Sequence, residues 1–139
     1  MQRHLPYIAA AILIVVAAVA IFTLSSGIAR ADILSVSTDK DLYHSNEVMT
    51  ISVKVTSSGT LDNTLITIEG IEDRYGNYHV SREIMANLTP GTNPFAWEFR
   101  LPACSSCAGI SAGTYMINVT IARDGVDMDK MSHEVQIAP

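Results

Sequence analysis

Cys104 and Cys107, in the stretch LPACSSCAGI, are the only thiols of the chain and stand three positions apart. Two thiols that close can form a disulfide, exchange disulfides with a partner, or offer two ligands to a soft metal. Outside the cytoplasm a nearby pair is normally oxidised to itself. A ring this small adds only about 2 kcal/mol in the chain-entropy model, so it would brace a loop and not hold a fold. An exchange-active pair sets its first cysteine at a helix N-terminus, and Ala108-Gly109-Ile110-Ser111-Ala112-Gly113 offers no helix. Zinc needs further ligands, yet His44, His79 and His133 are scattered, and Ala108 stands where a haem-attachment motif requires histidine. A structural Cys104–Cys107 disulfide is the expectation, with redox exchange, metal binding or intermolecular pairing as its rivals.

The next candidates are carboxylates. Asp124, Asp127 and Asp129 fall within six residues, and on a strand the last two point to one face, where a hard cation such as calcium could join them. The spacing is not that of an EF-hand, and Asp124-Gly125 is a ready hairpin turn, so a solvated hairpin competes with a metal site. Asp39 and Asp41 share the same spacing around Lys40 and form a weaker pair. His133 shares parity with Met131 and Val135, which reads as a residue accommodated in a sheet rather than a ligand. Two sequons, Asn87-Leu88-Thr89 and Asn118-Val119-Thr120, are candidate glycosylation sites; Pro90 directly after the first makes it the poorer acceptor.

The chain contains no GxSxG elbow, P-loop, dinucleotide fingerprint or HExxH. No catalytic residue and no cofactor is therefore assigned, although a triad can assemble from distant positions.

Period-two alternation dominates beyond residue 31 and marks strands with one buried face. Met49, Ile51, Val53 and Val55 alternate with polar residues, as do Tyr115, Ile117, Val119 and Ile121, and Met131, His133, Val135 and Ile137. Phe95, Trp97, Phe99 and Leu101 alternate with Ala96, Glu98 and Arg100, and this stretch is expected to be a central strand. Weaker strands are expected at 33–37, 65–69 and around 78–84, giving about seven. Ser57-Ser58-Gly59, Asp73-Arg74-Tyr75-Gly76-Asn77, Pro90-Gly91 and Asp124-Gly125 supply the turns. Seven short strands so joined predict an all-β fold, an immunoglobulin-like sandwich of two antiparallel sheets, with a partly open barrel as runner-up.

These strands follow an uncharged apolar run, residues 5–24, behind the basic stub MQRH. The part bounded by Tyr7 and Leu24 would make a helix roughly 27 Å long, close to the thickness of a bilayer core. It is expected to act as a membrane anchor with the N-terminus inside. The small-x-small triplet Ala29-Arg30-Ala31 leaves secretion by cleavage at Ala31 as the alternative. Residues 1–31 thus form an anchor or signal segment with a short tether, and residues 32–139 an extracytoplasmic domain. Of the nine basic residues two precede residue 32, whereas all fourteen acids lie from Asp32 onward, so the domain carries seven minus fourteen, or −7. That charge argues against nucleic acid as a partner.

Thr38-Asp39-Lys40-Asp41-Leu42-Tyr43, followed by Glu47-Val48, resembles the opening of macroglobulin-like and related immunoglobulin-like modules of cell-surface proteins. Gly113-Thr114-Tyr115 resembles the G-x-Y entry to a late strand in such modules. Together with the Cys-x-x-Cys-x-Gly loop, the arrangement is also similar to small anchored surface proteins of archaeal envelopes. The resemblance implies a fold and a place at the cell surface; nothing resembles a thioester region, so no reactive chemistry is implied. The functional expectation is a non-catalytic binding or structural module that acts by contact with envelope proteins or with itself. Its rivals are an exported thiol-disulfide or metal-handling protein using Cys104 and Cys107, and an accessory subunit of a membrane complex that makes contact through its Ala-rich span.

Overall fold

A computed structural model describes residues 28–103 and 109–139. The apolar run and the Cys104–Cys107 pair lie outside the described residues. Within them the chain forms eight strands: β1 (Ala31–Thr38), β2 (Leu42–Tyr43), β3 (Val48–Ser57), β4 (Leu61–Glu72), β5 (Tyr78–Leu88), β6 (Gly91–Arg100), β7 (Gly113–Arg123) and β8 (Val126–Ile137). Among the described residues no helix is long and apolar enough to cross a membrane.

The strands make two sheets, one ordered β1-β3-β6 and the other β2-β8-β7-β4-β5. Alternation is the cause. Met49, Ile51, Val53 and Val55 of β3 are fully buried, as are Ile66 and Ile68 of β4 and Ile117, Val119 and Ile121 of β7. They meet between the sheets, each worth roughly 1.5–3 kcal/mol relative to exposure. The turns obey their residues: Asp124 and Gly125 both hold positive φ, 51° and 77°, as a two-residue type I′ hairpin between β7 and β8 requires.

Two expectations are corrected, and one short strand is added to the seven expected. The aromatic strand β6 is not central; it is the edge of the three-stranded sheet, and β3 is its centre. Pro94, opposite Lys54 in the β3–β6 ladder, cannot donate to a further strand and suits only an edge. Phe95 and Trp97 stack with ring centroids 5.5 Å apart and remain half-buried along that open side. The sheets are not wholly antiparallel, because the two-residue β2 pairs with β8 in parallel. This eighth strand is too short to give a periodic signal.

The stretch around residues 38–47 carries the chain from one sheet to the other. Tyr43 is fully buried, its hydroxyl donates to Asp39 Oδ1 at 2.6 Å, and the same oxygen accepts from Thr50 N at 2.7 Å. Glu47 Oε2 accepts from His44 N at 2.9 Å while Oε1 pairs with Lys40 Nζ at 3.1 Å. The residues that carry the family resemblance are thus the hinge pins of a sheet-to-sheet crossing.

Candidate functional site

The register defines two ends. At one, Ala31 opens β1 opposite Ser57, and the β3–β4, β5–β6 and β7–β8 turns gather beside it. Ser58 N donates to Arg30 O at 2.9 Å, Arg30 N donates to Ser58 Oγ at 2.9 Å, and a Cβ at Gly59 would lie 3.0 Å from that of Ala29. The chain is therefore clasped to the sandwich from Ala29 onward. At the other end, roughly 40 Å away along a twelve-residue strand, lie the β2–β3 and β4–β5 turns and the two arms of the segment between β6 and β7.

Asp73 organises that far end. It is buried at the tip of the β4–β5 hairpin, and its Oδ1 accepts from Tyr75 N at 2.8 Å and Asn77 N at 3.0 Å. Oδ2 accepts from Asn77 Nδ2 at 3.3 Å and meets His79 Nε2 at 3.2 Å. The Asn77 backbone donor, followed by those of Tyr75, the Asn77 side chain and His79, outweighs burial and holds the carboxyl down at about 2. The tip is consequently rigid. Just before it Ile71 is buried with φ 54°, a conformation a β-branched residue adopts only under strain.

The segment between β6 and β7 leans on this hairpin. Arg74 N donates to Gly109 O at 3.2 Å, and Gly109, at φ 71°, lets the Tyr75 ring approach within 3.0 Å of where a Cβ would stand. Leu101 and Ile110 are buried, and the Tyr115 hydroxyl clasps Ser111, donating to its carbonyl at 2.7 Å and accepting from its N–H at 3.1 Å. What remains outward is aromatic. Tyr75 is 67% exposed with the Arg74 guanidinium 5.4 Å from its ring centroid, and Tyr78 is 41% exposed.

The other candidates fall elsewhere. Asp129 Oδ2 accepts from Ile33 N at 2.7 Å, Asp127 pairs with Lys130 at 2.7 Å, and Asp124 is an exposed turn residue. These carboxylates do not converge; among the described residues no group of three or more His, Cys, Asp or Glu could hold a metal ion. His133 Nε2 lies 3.0 Å from Thr38 Oγ1 and, with Asp129, stitches β8 to β1. Cys104 and Cys107 lie outside the described residues. Asn87 and Asn118 are both exposed. Sequence reasoning marked 73–77 only as a turn and missed Asp73 as its hub, although an Asp that opens a turn, as in Asp-Arg-Tyr-Gly-Asn, is a signal for side chain-to-backbone bonding.

No family model and no curated protein matches the chain. Solved structures do. A cycloisomaltooligosaccharide glucanotransferase from Paenibacillus sp. superposes with a TM-score of 0.59 at 15% identity over 80% of this chain, which spans only 14% of that enzyme. The CARDB domain of a Pyrococcus furiosus protein gives 0.53 at 13% identity, over 79% of this chain and 94% of that domain. The C-terminal domain of Wzt gives 0.59 at 11% identity, over 78% and 74%. These likenesses show the fold, an immunoglobulin-like β-sandwich, and no activity, since enzymes and non-enzymes alike contain it.

Proposed function

We propose that this protein is an anchored extracytoplasmic module that works by protein contact at the cell envelope and not by catalysis, and that it makes contact through the far end. One observation carries the reading: a hairpin tip locked by Asp73 presents Tyr75 and Tyr78 at the end opposite the clasped N-terminal chain. Rigid, amphipathic tyrosines lose little conformational entropy on binding, which makes them efficient contact residues. Retention of the anchor is favoured over cleavage at Ala31 because cleavage would remove Arg30 and Ala31, which the sandwich uses. With the basic stub inside, residues 32–139 lie outside and reach neighbouring envelope proteins or other copies of the chain.

A photo-cross-linking residue placed at position 75 of the full chain on intact cells tests this. Adducts with envelope proteins or with the chain itself are expected, and they should exceed those from a probe at Ser37 on the opposite sheet. Equal labelling from both positions would refute the far-end contact. A small-molecule turnover lost on changing Cys104, Cys107 or His133 would favour the redox or metal rival.

A further inference from the structure

We infer that Asn118, and not Asn87, carries an N-linked saccharide, and that the sugar covers the outer face of the five-stranded sheet. The inference rests on the extracytoplasmic placement proposed above. It begins from register. Asn118 lies opposite Ser132 of β8 on one side and Glu69 of β4 on the other, and Glu69 in turn faces Ser81 of β5. The row across the sheet is therefore Ser132, Asn118, Glu69, Ser81, with two hydroxymethyl groups and no ring to bar a bulky substituent.

The amide is already oriented. Ser132 Oγ donates to Asn118 Oδ1 at 2.6 Å, which directs the other branch, Nδ2, away from Ser132. Glycosylation preserves this bond, because the substituted amide keeps its carbonyl oxygen as an acceptor. Met116, two residues earlier on the same face, is 44% exposed, an apolar neighbour that the C–H faces of a sugar would cover. Thr120, the third residue of the sequon, points to this face too.

Asn87 lies near the end of β5, one residue before the β5–β6 turn that holds its threonine. Its Oδ1 accepts from Asn63 N at 3.1 Å, while both the N–H and hydroxyl of Thr89 donate to Asn93 Oδ1, at 2.9 and 3.2 Å. Asn93 is itself buried, and Pro90 fixes the next step of the chain. The threonine on which this sequon depends is thus committed to the β5–β6 turn.

In the transfer, Asn118 Nδ2 loses a proton to a base of the transferase and bonds to the anomeric carbon of a lipid-phosphate-linked saccharide. The bond from that carbon to the phosphate oxygen breaks, and the lipid phosphate leaves with the electron pair. The covered face is then withdrawn from protein contact, whereas the far end stays uncovered.

Intact-mass measurement of the full chain from its native cells, beside protease accessibility on those cells, tests this. The wild type should exceed its sequence mass by one saccharide chain. Asn118→Gln and Thr120→Val should return to the sequence mass, whereas Asn87→Gln and Thr120→Ser should keep the increment. An unmodified but protease-accessible domain overturns the glycosylation while sparing the placement; an unmodified, protected domain overturns both. An increment that survives Asn118→Gln and disappears in Asn87→Gln assigns the wrong asparagine and refutes the inference.

Discussion

Tyr43 and Asp39 are joined by a 2.6 Å hydrogen bond at the point where the chain leaves the three-stranded sheet for the five-stranded one. Tyr43 OH also accepts from Lys40 N at 3.0 Å, so one buried hydroxyl is both donor and acceptor in the crossing. Burial first, and the Asp39 bond second, push the phenol up to about 12.

Tyr43→Phe should therefore lower stability at neutral pH by about 1–2 kcal/mol. A phenol whose folded pKa lies above its unfolded value, near 10, gives stability that is complete below pH 10 and lost as pH rises towards 12. Urea midpoints should fall over that window in the wild type, and Tyr43→Phe should remove this component. An unchanged alkaline slope would contradict the assignment.

For Asp73 the sign is reversed. Its folded pKa is depressed, so its contribution is present above the ordinary value of 3.8 and lost as pH falls through about 2. Asp39 and Glu47 are lowered as well, Asp39 chiefly by the Tyr43 hydroxyl and Glu47 chiefly by the His44 N–H. Thermal midpoints of Asp73→Asn should decline less steeply than those of wild type between pH 4 and pH 2, without becoming flat.

Truncation probes the clasp. A fragment that starts at Ile28 should be more stable than one that starts at Asp32 by about 1–2 kcal/mol, because the shorter one lacks the Arg30–Ser58 bonds and the buried Ala31. Chemical denaturation of the two fragments decides it, and equal midpoints would remove the structural case against cleavage at Ala31.

Gly70 admits no side chain. A Cβ there would stand 2.6 Å from Ile117 Cδ1, 2.8 Å from Met116 O and 3.1 Å from Ile117 Cα. Two of these atoms are backbone of the paired strand β7, so relief requires prising the ladder apart. Gly70→Ala should cost about 2–3 kcal/mol, measured by urea unfolding.

Asp129→Ala should cost about 1.5–3 kcal/mol, since it deprives the part-buried Ile33 N–H of a charged acceptor. Added calcium should leave the wild-type midpoint unchanged, because this carboxylate already binds the backbone of β1. A calcium-dependent rise lost in Asp129→Ala would revive the cation reading of Asp124, Asp127 and Asp129.

The strands were legible where alternation is unbroken. β3, β7 and β8 follow from Met49 to Val55, Tyr115 to Ile121 and Met131 to Ile137, because each buries one parity of its residues. β4 extends well beyond 65–69, and the register shift between Leu61 and Thr64 disrupts its period near the start. β6 misled because large inward side chains occur on edges as well as in centres, and Pro94 was the decisive residue. At the far end the turn at 73–77 was readable from Asp, Gly and Asn. The convergence of Asp73, His79 and Gly109 was not, because it joins positions that have no local period in common.

The placement of β5 at a sheet edge, combined with a chain clasped from Ala29 onward, limits how copies can meet. Antiparallel zippering of two β5 edges would set the molecules head to foot, with their N-terminal segments leaving in opposite directions. Only four residues separate Leu24 from Ala29, a reach of roughly 17 Å when fully extended. If residues 5–24 anchor the chain as proposed, two copies rooted in one bilayer are barred from that pairing, and the same edge becomes a clasp between facing membranes.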